Sequence, residues 1–521
     1  MHSNVASDDA GRRVTFALSP IVFVIVLLPL FATTIPPLHD YPFHLARMDA
    51  IAALTGEVHH PTHYQLGSFL LPNVAMDVAA LGLTALLPPL LAGRVFLGIV
   101  LLTMLSGTMA LHRAIHGRFS PWPLLAAFLM YNWIFLFGFI NYLFGVGVML
   151  WSLAVWLRMA RSGVAARLLV GSLLALVTMF CHLVAFGLFA VALAGLALTE
   201  TFSRWRRTGK LAVGAVLIPA VPVGLALALF VALSPTAGEA GQPFLYASWF
   251  GWKPLVAYRT LSWPIPWLNV VTFVPLAALL GIAAWRRRLV AAWFMALPIA
   301  LLGVTFLLMP NNLFGGQYAD ARLPIAIALV CLATIDIRAV PPRAFAVCAA
   351  FAMALLLLRG AVIAGQWRAS APVIAEYRDA FARLPPDATL YVASAEPFPK
   401  LAYDSPAEYA RWNPPLKHVV SLASIGTDVF VPATFADRTQ QPISVLPDDR
   451  PMKKLQGDNP FLTPTAESLA EVVAQVRAAR KAGVPSGDFL LLLRPKAMTG
   501  VLPAGLTQFA LGGSFALFRI N

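Results

Sequence analysis

Between residues 15 and 364 the chain is a succession of long apolar runs, a pattern that leaves few folds open. The first, "TFALSPIVFVIVLLPLFATTI", carries no charge from Thr15 to Ile35. A helix needs ~20 such residues to cross the hydrocarbon of a bilayer. In that medium only helices and closed barrels satisfy every backbone polar group. Only 12% of the 521 residues are charged, about half the usual share of a soluble protein. The expected fold is a polytopic α-helical membrane protein of about eleven transmembrane helices. The spans fall near 15–35, 91–112, 121–138, 141–158, 167–181, 183–201, 210–233, 267–285, 289–309, 321–337 and 343–364.

Charge sets the expected orientation. Residues 1–365 hold 22 Lys and Arg against 10 Asp and Glu, whereas residues 366–521 hold 16 against 14. The basic excess therefore belongs to the membrane part, where it acts on topology and membrane-surface contacts rather than on nucleic acid. Clusters at Arg12/Arg13, Arg113/Arg118, Arg158/Arg161/Arg167, Arg204/Arg206/Arg207/Lys210, Arg286/Arg287/Arg288 and Arg338/Arg343 face the cytoplasm if the spans between them come in pairs. The N-terminus is then inside and the C-terminal region outside. The first run reads as a retained span rather than a cleaved leader, because "ATTIPPLHD" offers no small-residue cleavage site.

Two stretches test this scheme. A single helix over 167–201 would reach about 50 Å, too long for a ~30 Å core. Two short helices meeting near Phe180 to His182 fit better. Residues 68–90 look like a span but break the parity, contain Asp77 and end in Pro88-Pro89. They read as a helix along the outer face, so the first outer segment runs from about 36 to 90.

From Gln366 the pattern changes. "EYRDAFARLPPDATLYVAS" reads as helix, turn and strand. "SLAEVVAQVRAARKAGVPSGDFLLLLRP" reads as an amphipathic helix, a stop and a buried strand, and "GSFALFRIN" as a last strand. The expected division is a membrane domain over 1–365 and a small α/β domain over 366–521. No Walker sequence or glycine-rich phosphate loop follows a strand, which argues against a transport ATPase. The three cysteines, Cys181, Cys331 and Cys348, lie in apolar runs and support neither a disulfide framework nor a zinc site.

Polar groups placed at the outer face narrow the search, because ionisable groups at membrane depth are costly and functional. The acids there are Asp40, Asp49, Glu57, Asp77, Glu239 and Asp320; with them go His39, His44, His59, His60, His63 and His182. Asp40 lies just past the first span, in "PPLHDYPFHLARMD". It can serve as a general base toward a hydroxyl, or simply cap the helix that Tyr41-Pro42 opens. In "GGQYADARLP", Tyr318, Asp320 and Arg322 alternate, so an extended segment puts them on one side. Arg322 can then hold a phosphate, or pair with Asp320 and only fix the loop. His182 is a packing residue or a ligand-facing one. Asn141 sits in a tight outer turn before Tyr142. Lys253, in "WFGWKP", lies among aromatic rings that either anchor the interface or stack on sugar. His60 and His63 have no clear carboxylate partner and do not support a metal.

One span leading to a long outer loop with an Asp, many further spans and an outer α/β domain resembles the GT-C superfamily of integral-membrane glycosyltransferases. "LHDYPFHLAR", "CHLVAFGLF" and "YADARLP" are similar to segments of poorly characterised bacterial members. The likeness covers roughly residues 1–365. It implies an inverting transfer of sugar from a polyprenyl-phosphate donor to a glycan, lipid or protein acceptor, at the outer face of a bacterial inner membrane. Asp40 matches the family's base, and Arg322 is the candidate phosphate partner. Tyr318, Asp320, His182, His44, Asn141 and Lys253 complete the implied substrate-binding set. Many members have a second acid beside the loop Asp; here His39 stands there, which leaves a divalent metal without support. No cofactor is assigned. A lipid-linked-glycan flippase and a non-catalytic envelope scaffold are the alternatives from other classes.

Overall fold

Each of the eleven apolar stretches contains a helix in the computed structural model of the chain. The structure describes residues 2–56, 63–235, 246, 249–313, 316–338, 340–397, 417–479 and 487–521. Eight helices are long and apolar enough to cross a membrane: Gly11–Phe31, Pro89–His116, Ile140–Arg161, Val164–Cys181, Leu183–Thr208, Val213–Leu233, Pro266–Trp285 and Pro342–Phe381. Trp122–Phe137 and Trp293–Leu308 are shorter apolar helical stretches, and Ala319–Thr334 is a helix of 16 residues.

The two short helices expected within 167–201 are present. Val164–Cys181 ends and Leu183–Thr208 begins around one extended residue, His182, at φ −168°. No Gly or Pro marks this break. The His182 ring supplies it, because Nδ1 accepts the Val184 N–H at 3.1 Å and so satisfies an orphan donor of the second helix.

The chain divides into two compact units. The first comprises Met1–Phe31, Leu70–Ala75 and Leu97–Ala364. Its helices approach through small residues. A Cβ on Gly107 or on Gly147 would lie 2.8 Å from backbone of the facing helix, so only glycine permits the contact. Close approach of this kind drives helix association where lipid removes the hydrophobic advantage. A two-stranded antiparallel ribbon, Leu289–Ala291 with Ile335–Ile337, is also in this unit.

The second unit comprises Ala32–Phe69, Met76–Phe96 and Gly365–Asn521. It is built on a five-stranded mixed sheet, in the order Phe461–Leu462, Thr389–Ser394, Asp488–Leu493, Phe515–Ile520 and Leu506–Leu511. The first three strands are parallel and the last two pairings antiparallel. "DFLLLL" is buried at every position, as the continuous apolar run of a central strand demands. The amphipathic helix Ala466–Ala478 starts with a capping box between Thr465 and Ser468. Parts of the segment 36–90 fold into this same unit. Helices Tyr41–Thr55 and Ala75–Leu83 belong to it, and Tyr64–Leu66 pairs antiparallel with Ile443–Val445.

Candidate active site

Tyr41-Pro42 opens the helix Tyr41–Thr55, with Asp40 at the N-cap position. Asp40 does not cap it. Its backbone is itself near-helical (φ −91°, ψ −3°), and its side chain accepts no capping hydrogen bond. The carboxylate instead lies 3.4 Å from His418 Nε2 and 3.9 Å from His39 Nε2. The two imidazoles meet edge to face at 4.9 Å, and Phe43 packs on His418 at 4.2 Å. All three members of the cluster are buried, with Asp40 8% exposed.

Burial pushes the His418 and His39 imidazoles well below their usual range, helped for His418 by His39, Lys417 and His44, and for His39 by Lys417. Both rings are therefore neutral. Lys417 is also pulled down by burial, against the opposing pull of Asp40. The Asp40 carboxyl thus lies against two neutral rings, with Lys417 close enough to act on it electrostatically. His418 Nδ1 has no hydrogen-bond partner among the described residues.

A pH dependence follows. The unfolded chain binds protons on both histidines below the ordinary value of 6.5, while the folded chain resists. Stability therefore falls as pH drops through that value. Melting of the purified protein is expected to come at lower temperature at pH 5 than at pH 8. His418→Gln should flatten the difference; an unchanged slope in that variant would contradict the burial argument.

His39, Asp40 and His418 are the one group among the described residues whose donors could hold a metal ion, all within 4.8 Å of one another. Two imidazole nitrogens and a carboxylate oxygen suit a tetrahedral site with bonds of ~2.0–2.2 Å. The neutral state of both rings fits ligation, and the neighbouring Lys417 amine opposes it. This set was not legible in the sequence, because His418 lies so far along the chain.

Three turns of the same helix carry a supporting network. Arg47 donates to both Asp77 oxygens, at 2.5 and 3.2 Å, and to His44 Nδ1 at 3.1 Å. Because a guanidinium can only donate, His44 Nδ1 accepts and the ring proton lies on Nε2. Arg47 and Asp77 are both buried. Asp49 accepts the Gly426 N–H at 2.8 Å, and His63 Nδ1 lies 3.0 Å from Asp449. Glu57, His59, His60 and Glu239 lie outside the described residues.

The first unit holds a second polar cluster. Tyr318, Asp320 and Arg322 are not on an extended strand. Tyr318 sits at φ +59° before the helix Ala319–Thr334, and Asp320 and Arg322 occupy its first turn. They point to different partners. Asp320 takes Lys253 Nζ at 2.9 Å, Asn311 Nδ2 at 3.2 Å and the Ala321 N–H at 2.9 Å. Lys253 also donates to the Met309 carbonyl at 2.6 Å. This buried pair fixes the start of the helix, so the alternative of an Asp320–Arg322 pair gives way to Asp320–Lys253. The side chains of Trp249 and Trp252 lie outside the described residues.

Arg322 does not pair with Asp320; its Nη2 donates to the Gln317 carbonyl at 3.2 Å. Its guanidinium lies over the Phe139 ring at 4.4 Å, and Nη1 is 3.5 Å from His182 Nε2. The Val184 N–H occupies His182 Nδ1, so the ring proton sits on Nε2. Two N–H groups thus face each other across 3.5 Å, an arrangement that an anion between them relieves. Tyr142 packs edge to face on His182 at 5.1 Å and donates to the Arg322 carbonyl at 2.5 Å. Asn141 donates to the Asn73 carbonyl at 2.5 Å, and Asn73 Oδ1 accepts the Leu183 N–H at 3.1 Å. The structure thus brings Arg322, His182, Tyr142 and Asn141 together.

Sequence reading missed His418, Lys417 and Asn73. A signal existed for His418, which is the only histidine after His182. Nothing local distinguished Lys417. Asn73 takes φ +70°, a conformation that Asn tolerates.

Known proteins give a fold and little more. No protein-family model matches the sequence, and no curated protein does. Among solved structures, ArnT from Cupriavidus metallidurans bound to undecaprenyl phosphate is similar over 97% of this chain and 98% of its own, with 14% identity and a TM-score of 0.53. The apo state of the same protein is similar over 98% of each chain, with 15% identity and a TM-score of 0.55. At such identity the likeness establishes a shared architecture.

Proposed function

For a chain with this GT-C-type membrane fold, we propose the function of a glycosyltransferase that takes sugar from a polyprenyl-phosphate donor. The acceptor is a hydroxyl of an envelope glycan, lipid or protein at the outer face of a bacterial inner membrane. The observation that carries this reading is the state of Asp40. It occupies a helix-start position yet makes no cap, and it is held by neutral imidazoles instead. The fold shared with a protein that binds undecaprenyl phosphate supports the donor class.

In the proposed step, Asp40 takes the proton of the acceptor hydroxyl. The freed oxygen attacks the anomeric carbon, and the bond from that carbon to phosphate oxygen breaks with inversion. The electron pair leaves with the lipid phosphate. Arg322 and the Nε2–H of His182 stabilise that charge, as positioned donors do for a developing anion. Lys253 and Asp320 hold the Arg322 helix in place, Tyr142 fixes its backbone, and Asn141 ties down the turn before His182. Tyr318 shapes the same helix start. His44, one turn after Asp40, offers its Nε2–H to a substrate hydroxyl.

Purified full-length protein in liposomes, given a polyprenyl-phosphate-linked sugar and envelope acceptor, should release polyprenyl phosphate only when acceptor is present. Arg322→Gln is expected to lower turnover by about 10²–10³-fold, and Arg322→Lys to retain more. Donor carried across the bilayer with its glycosyl bond intact would instead establish a flippase.

A further inference from the structure

The first unit holds a cavity that none of the residues invoked for the transfer lines. This cavity, of about 710 Å³, opens between the segments near residues 11–22, 118–128, 276–288 and 337–356. That volume lies within the ~300–1,000 Å³ of typical ligand cavities. Its walls are apolar, with Leu18, Leu279, Met353 and Leu356 among them. On the helix Pro342–Phe381 the lining runs from Pro342 to Leu356, about 20 Å at 1.5 Å per residue. That length exceeds one leaflet, ~15 Å of a ~30 Å core, so the cavity is deep enough for an acyl chain.

One end of this cavity is basic. Arg118, Arg286 and Arg288 line it, where Pro266–Trp285 ends and Pro342–Phe381 begins. Arg118 is committed: its Nε donates to Asp336 at 2.8 Å, and Asp336 also accepts from Ser120 at 3.0 Å and lies 3.6 Å from Arg338. Arg286 and Arg288 have no carboxylate within ion-pair distance among the described residues. The Arg286 guanidinium lies over the Trp285 ring, at 5.9 Å. Two uncommitted guanidiniums at the mouth of an apolar, leaflet-deep cavity are complementary to a phosphate carrying an acyl chain.

The geometry points to a structural binding site for an anionic glycerophospholipid of the basic-side leaflet. Its chain fills the cavity and its phosphate sits on Arg286 and Arg288. A zwitterionic lipid brings an ammonium group against the same arginines and fits less well. Basic pockets between transmembrane helices select anionic headgroups for this reason. The inference is independent of the transferase reading.

The test is native mass spectrometry of the full-length protein in detergent, titrated with phosphatidylglycerol, phosphatidylcholine or undecaprenyl phosphate. Phosphatidylglycerol should be retained over phosphatidylcholine, and Arg286→Gln with Arg288→Gln should weaken it by about fivefold per arginine. Both side chains are partly or fully exposed, so the fold should survive, and a melting curve checks it. Ala349→Phe, which fills the cavity and leaves the arginines, should also reduce retention. Equal retention of the two phospholipids, or a charge-depleted variant that binds as before, overturns the site. Retention of undecaprenyl phosphate that is weakened by Arg286→Gln with Arg288→Gln more than that of phosphatidylglycerol overturns the assigned occupant.

Discussion

Asp40→Asn is expected to abolish sugar transfer, lowering turnover by about 10²–10⁴-fold, the range a positioned general base contributes. The substitution keeps size and hydrogen-bonding capacity but cannot take a proton. Because Asp40 makes no helix cap, the loss should come without loss of expression or of melting temperature. That separates a chemical role from a structural one, since a lost cap would cost about 0.5–2 kcal/mol of stability. Release of polyprenyl phosphate from a defined donor is the readout. Transfer at the native rate by a folded Asp40→Asn protein would falsify the base assignment. Asp40→Glu should recover only part, because one extra methylene moves the oxygens away from His418 Nε2, now 3.4 Å from the carboxylate.

The second large effect is on stability. Asp77→Ala leaves the Arg47 guanidinium buried without its carboxylate, and breaking such a pair costs about 3–5 kcal/mol. The pair is bidentate and both residues are buried. Burial pushes the Asp77 carboxyl up, against the pull of Arg47, so the charged state depends on its partner. Replacing both, Arg47→Leu with Asp77→Ala, should restore much of the loss, because the orphaned charge goes too. Thermal unfolding with limited proteolysis measures both. A single Asp77→Ala that melts with the native protein would show that the pair contributes nothing. Since Arg47 also donates to His44, the single variant should lower activity even where it remains folded.

Much of the architecture was legible because its causes are local. Apolar runs gave the helices, and "DFLLLL" and "SFALFRI" gave central strands. The amphipathic stretch "SLAEVVAQVRA" gave the helix Ala466–Ala478. The break at His182 was legible only from length, since one helix over 167–201 would overrun the bilayer. Its cause, a histidine acting as cap, was not. The extended placing of Tyr318, Asp320 and Arg322 failed because alternation was read as a strand, whereas Asp320 and Arg322 open a helix.

The site divides along the same line. Asp40, Arg322, His182 and Asn141 could be picked out because charge and polar side chains are scarce in this chain and so conspicuous. Which of them meet was beyond the sequence. Whether Asp40 caps its helix or turns to a buried histidine is decided by His418, which arrives from the far end of the chain. Whether Arg322 is spent on Asp320 is decided by Lys253. The sequence by itself determined a helical membrane protein with an α/β segment and a short list of polar candidates, because hydrophobic length and periodicity act over a few turns. Only the tertiary structure decided the pairing and protonation of those candidates, because a buried charge takes its state from whatever the fold places within a few ångströms of it.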